Sequence, residues 1–93
     1  MEKFETLPLE KQNTIIEAAL SVFGSKGYRK ASMGDIAAVA GISKPALFHY
    51  FGTKKEFYLY LAQISFNLLL AEIDEMLTQK ITDFFEKIVI SVN

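Results

Sequence analysis

Four residues near the middle of this 93-residue chain combine types and spacing that suit recognition of a polar surface dotted with apolar groups. Lys44, Pro45, Phe48 and His49 all fall in the stretch KPALFHYF. On a helical wheel at about 100° per residue they share one arc, while Ala46, Leu47, Tyr50 and Phe51 share the opposite one. The first arc carries a cation, a rigid apolar ring, an aromatic and an imidazole. A face that meets only water has little use for Pro45 and Phe48. A face that meets base edges can use all four: Lys44 as a donor to guanine O6 or N7, His49 as a donor to a base or phosphate, and the two apolar rings against thymine methyls or sugars. Three of them have a plainer alternative: a solvated Lys, a surface His and, one position out of register, a core Phe. Tyr50 either buries its ring with the hydroxyl toward a phosphate or is plain core.

A second set suits phosphate. Ser32, Ser43 and Thr53 stand where helices begin, and free N–H groups at a helix start favour an anion. Lys54 and Lys55 lie in the first turn after Thr53, where cations oppose the helix dipole. A phosphate partner would offset that cost, and Arg29 and Lys30 could serve similarly. For Lys55 the simpler account is solubility. Phosphate contacts position a protein on a duplex, and base contacts specify the sequence.

The elements that must hold these residues follow from periodicity and punctuation. Residues 9–25 read as a helix with a stripe of Ile15, Ile16, Ala19, Leu20, Val22 and Phe23, and Gly27 suits its C-terminal cap. Residues 32–40 read as a short helix capped by Ser32, with Asp35 in its first turn and Ile36, Ala37 and Ala40 facing inward. Gly41 permits the positive φ of a tight turn. Ile42 plugs it, Ser43 caps the next helix, and Pro45 sits in the first turn, where a missing N–H costs nothing. That helix spans about 44–51 and ends at Gly52. Thr53 and Glu56 form a capping box for a helix running to about 78. Phe57, Leu61, Ile64, Leu68 and Ala71 give it a seam that faces a neighbour along its length. Thr78 or Thr82 would then cap a further helix holding Phe84, Phe85, Ile88 and Val89. The expected fold is all-α: a three-helix bundle with a helix-turn-helix at 32–51, then a long linking helix and the start of a further helix. The pattern is still running at Asn93, which points to a fragment of a longer protein.

Composition removes other classes. Without Cys there are no disulfides or thiolate metal sites. The polar, acidic start is unlike a signal peptide, and no apolar run is long enough to span a membrane, so a cytoplasmic location is expected. No nucleophile constellation, metal-ligand spacing or Gly-rich phosphate loop is present, so neither an enzyme nor a cofactor or metal is expected. Net charge is −1 but unevenly spread: residues 1–55 hold eight Lys/Arg against five Asp/Glu, and residues 56–93 hold two against six. The basic part would turn toward a polyanion. An apolar fraction of 51% is high for so short a chain. It leaves open an alternative, a helical interaction module whose apolar, acidic second half pairs with another chain.

The run SMGDIAAVAGISKPALFHYFGTKKEF at 32–57, with AAL-x-x-F-x-x-x-G-Y at 18–28 before it, resembles the tetracycline-repressor (TetR) family of transcriptional regulators over roughly residues 10–60. The resemblance implies a sequence-specific DNA-binding regulator, a repressor, acting as a homodimer on a palindromic operator. It implies a small-molecule effector bound by a larger C-terminal domain. Base contacts would fall to Lys44, Pro45, Phe48 and His49, and phosphate contacts to Ser32, Ser43, Tyr50 and Lys54. Residues 1–52 would form the DNA-binding domain, and 53–93 the linking helix and the beginning of the effector-binding and dimerisation domain. Pro45 and Phe48 depart from the family, which usually has a small residue and a Tyr at those places.

Overall fold

Glycines and capping hydroxyls divide the chain into helices of very unequal length. The computed structural model describes residues 1–92 and contains α1 (Glu2–Glu5), α2 (Leu9–Lys30), α3 (Met33–Ala40), α4 (Lys44–Phe51) and α5 (Lys54–Val92). No strand occurs among the described residues. Three glycines, Gly27, Gly41 and Gly52, take positive φ of 78°, 73° and 74°. Gly27 interrupts α2 with φ 78° and ψ 165°, so its last turn is displaced from the preceding helical path. Gly41 closes α3 in the left-handed region, and the amides of Gly41 and Ile42 return to the carbonyls of Ala38 and Ala37.

Residues fall into two compact units, Met1–Ala62 and Gln63–Asn93. In the first, α2 packs on α3, α3 on α4, and α1 on α4. The core takes Ile15, Ala18, Ala19, Val22 and Phe23 from α2, Ile36 and Ala37 from α3, Leu47 and Phe51 from α4, and Phe57 and Leu61 from α5. Phe51 stacks on Phe57 at 3.8 Å between ring centroids and 12° between planes. The α2 stripe differs from expectation at one edge: Leu20 is 48% exposed and Ala18 is buried. On the wheel Leu20 lies about 140° from Ile15, beyond the face that α3 covers.

Sequence periodicity did not announce α1. Its Phe4 is 1% exposed and packs against Phe51 at 4.6 Å, Tyr50 at 6.5 Å and Tyr60 at 6.0 Å. The Tyr60 hydroxyl donates to Glu5 Oε1 at 3.1 Å. Burial, and then the bond and charge of Glu5, hold the Tyr60 phenol above its ordinary pKa.

In the second unit every side chain from Ser65 to Ile90 is exposed. The expected seam is therefore buried at Phe57 and Leu61 and exposed at Leu68 and Ala71. The expected start of a further helix at Thr78 or Thr82 is corrected: α5 continues through both. Thr82 Oγ1 donates to the carbonyl of Thr78 at 2.9 Å, the way a mid-helix Thr satisfies its hydroxyl. With no Gly or Pro after residue 52, nothing stops the helix. Asn93, and with it the expectation that the helical pattern is still running there, lies outside the described residues.

Candidate nucleic-acid interface

The interface is built on α3, the turn 41–43 and α4. Ser32 caps α3 by accepting from the Asp35 amide at 3.0 Å. Ser43 caps α4 by accepting from the Ala46 amide at 3.2 Å. Each serine oxygen is engaged as an acceptor; the Ser32 hydroxyl also hydrogen-bonds the Asp35 carboxylate, while the Ser43 O–H can donate to an anion. Both serines are exposed. Pro45 sits in the first turn of α4, where it preserves the helix and adds rigidity.

Leu47 and Phe51 anchor α4 at 0% and 1% exposure, and Ala46 and Tyr50 are half-buried. Lys44, Pro45, Phe48 and His49 are exposed, Phe48 at 41%. The helix thus divides along the wheel's two arcs, and the structure brings the four candidate base-reading residues onto one face. The Lys44 ammonium stands 6.0 Å from the centre of the Phe48 ring, so cation and aromatic form one patch. Gly34 of α3 faces this patch. A Cβ there would reach the Ser32 hydroxyl at 3.7 Å and the Lys44 stem at 3.8 Å. The Lys44 side chain therefore starts along α3, with room to extend.

The carboxylate in the first turn of α3 is paired. Lys26 Nζ meets Asp35 Oδ2 at 3.0 Å, which joins α2 to α3. That Lys26 contact, with Ser32 hydrogen bonding next, lowers the Asp35 pKa below 3.8. Tyr50 presents a half-buried ring that packs on Phe4 and Phe51. Lys54 also departs from open surface. It is half-buried, and its Nζ donates to the carbonyls of Tyr28 (2.7 Å), Ala31 (3.2 Å) and Arg29 (3.4 Å).

One residue that shapes this interface, and the partners of another, escaped the sequence reading. Phe4 supports Tyr50 and Phe51 from behind; the available signal was one aromatic isolated in a polar, acidic start. The partners of Lys54 are backbone carbonyls, which no side-chain pattern reveals. Among the described residues no group of His, Asp and Glu is arranged to hold a metal ion. No helix among them is long and apolar enough to cross a membrane.

Residues 15–61, the span that holds this architecture, match the family described as bacterial regulatory proteins, tetR family. The chain belongs to that family. Among its relatives is the HTH-type transcriptional activator FasR of Mycolicibacterium smegmatis, 43% identical over 54 residues, 58% of this chain and 25% of that protein. The HTH-type transcriptional repressor AcnR of Corynebacterium efficiens is 34% identical over 56 residues, 60% of this chain and 30% of that protein. The regulator YuxN of Bacillus subtilis is 44% identical over 50 residues, 54% of this chain and 17% of that protein. The match therefore spans between about a sixth and a third of the curated relatives' length. The family match at residues 15–61 includes the helix-turn-helix, and the TetR-family assignment rests there.

Proposed function

We propose that this TetR-family chain carries the DNA-binding domain of a transcriptional regulator, with α4 entering the major groove. The observation that supports this best is the division of α4: Leu47 and Phe51 are sealed in the core while Lys44, Pro45, Phe48 and His49 face outward. A helix presented in this way is what groove recognition requires. Lys44 donates to a guanine edge, His49 to a base or phosphate, and Pro45 and Phe48 pack on thymine methyls and sugars. Ser32, Ser43 and Tyr50 donate hydroxyls to phosphates. The three N–H groups of Lys54 are committed to carbonyls, so its part in the expected phosphate set is indirect. Residues 1–52 serve as the DNA-binding domain, and 53–93 as the linking helix and the beginning of an effector-binding and dimerisation domain.

One eight-residue helix makes few base contacts. A homodimer reading two halves of a palindromic operator supplies the missing affinity, and a small-molecule effector would act through the remaining domain. Occupying DNA is enough to obstruct transcription, so repression is the proposed direction of control. The relatives' names include both an activator and a repressor. A cytoplasmic site of action and the absence of enzymatic chemistry follow from this reading.

The test is fluorescence anisotropy with the DNA upstream of the protein's own gene. Binding should weaken steeply with salt, and Lys44→Ala should relax preference for that site over a scrambled duplex. Binding indifferent to salt and to this substitution would sink the proposal. The exposed apolar face of residues 65–90 gives a specific reason to keep the interaction-module reading. Sedimentation at several concentrations tests it, and a strictly monomeric protein rejects it.

A further inference from the structure

We infer that Lys54 is a positioning residue of the DNA interface and not a phosphate contact; this rests on the DNA-binding reading above. An ammonium has three N–H groups. Three carbonyls receive them, those of Tyr28 at 2.7 Å, Ala31 at 3.2 Å and Arg29 at 3.4 Å. The same nitrogen lies 4.3 Å from the centre of the Tyr28 ring. That ring meets Phe23 of α2 at 6.3 Å and Tyr58 of α5 at 4.9 Å, so the cation and its aromatic neighbour tie α5 to the end of α2 together.

Gly27 makes the arrangement possible. Its positive φ displaces the last turn of α2, whose terminal carbonyls have no helical partners of their own. Ala31, 2% exposed, anchors the segment, and its amide returns to the Gly27 carbonyl at 3.1 Å. A cation suits such a C-terminal end. The unfavourable placement of Lys54 at the start of α5 is thereby offset: it opposes one helix dipole and completes the end of another. The segment so fastened bears Arg29 and Lys30 and leads directly into Ser32, the cap of α3. Lys54 thus sets where the helix-turn-helix begins relative to the first turn of α5, and acts on DNA only through that placement.

The experiment compares wild type with Lys54→Met, Lys54→Gln and Lys54→Arg, and with Lys55→Met as control. In the free protein, amide hydrogen exchange at Ala31 should quicken about tenfold in Lys54→Met. Lys54→Gln should show a smaller increase, which keeps the comparison usable if the methionine variant folds poorly. Lys54→Arg should restore protection, and Lys55→Met should leave Ala31 unchanged. On a mixed-sequence DNA duplex, Lys54→Met should bind about tenfold more weakly. The slope of log affinity against log salt should stay as in wild type. An unchanged Ala31 amide with a slope smaller by about 0.9 would mark Lys54 as a direct phosphate contact and overturn the inference. Wild type that ignores the duplex altogether would instead reject the DNA-binding reading, and with it any positioning role there.

Discussion

Met1–Ala62 and Gln63–Asn93 draw on similar apolar residues and leave them in opposite states. In the first, Phe4, Phe23, Phe51 and Phe57 are buried; in the second, Phe66, Phe84 and Phe85 stand 58–61% exposed. The difference lies in punctuation. Both Pro and all five Gly precede residue 53. Turns at Gly27, Gly41 and Gly52 let short helices face one another, and a shared core forms between them. An unpunctuated segment forms one helix, and a helix cannot cover its own sides. Helical stability in proteins comes mostly from packing an apolar face against something else. The apolar content of a stretch therefore says less about its burial than the turns around it.

That contrast breaks if a buried and an exposed Phe cost the same to remove. Phe51→Ala should destabilise the chain by about 3–5 kcal/mol, since it deletes a ring held by Phe4 and Phe57. Phe85→Ala should change stability by less than about 0.5 kcal/mol. Urea titrations followed by far-ultraviolet circular dichroism read both. Equal losses would mean that the second region has a packed partner, as in a dimer, and the effect would then depend on protein concentration.

The next largest effect concerns DNA. Lys44→Ala should cost about 1–3 kcal/mol of binding to a preferred site. Lys80→Ala, an exposed cation of the second region, should leave affinity at a given salt concentration unchanged. Anisotropy titrations of the two variants side by side decide it. If Lys80→Ala weakens binding as much, charge alone drives association, and α4 loses its special place.

Capping sharpens the contrast at smaller scale. Ser43→Ala removes the acceptor for the Ala46 amide and should lower stability by about 1 kcal/mol. Thr78→Ala replaces a β-branched residue inside a continuous helix and should be neutral or stabilising by up to about 0.5 kcal/mol. Thermal melts should show a loss for Ser43→Ala and none for Thr78→Ala. A loss at Thr78 would point to a real helix boundary there.

These pairs also show what the residues reveal unaided. The helix-turn-helix was legible because its signals are local: Ser32 and Ser43 cap within three residues, Gly41 fixes the turn, and the wheel sorts Leu47 from Lys44. The division of α4 follows from that periodicity. Phe4 and Lys54 were not legible in this way. Phe4 meets Phe51, and Lys54 meets Tyr28, Arg29 and Ala31, across sequence separations that periodicity does not register. At Thr78 and Thr82 the residue type suits a cap and a helix interior alike. Only the absence of a nearby Gly or Pro separates the two, and there the capping signal misled.

The smallest effect tests how the first region joins its helices. Lys26 of α2 and Asp35 of α3 meet at 3.0 Å with side chains 49% and 39% exposed. The polar pair Gln79 and Asp83 lies within one helix. The Lys26 ammonium, then hydrogen bonding with Ser32, lowers the Asp35 pKa in the folded chain. The folded state therefore favours the carboxylate, and its contribution to stability is complete above the unfolded-chain pKa. It is lost as pH falls through the lower, folded value. Solvent screening keeps it small, and added salt should shrink it further. Asp35→Asn removes the charge while leaving the Ser32 cap on the residue-35 amide in place. The stability difference between wild type and this variant should hold steady above about pH 5 and close toward about pH 2. A difference that stays constant to the acid end would assign the whole junction to the Ser32 cap and to packing. The link between α2 and α3 would then owe nothing to charge.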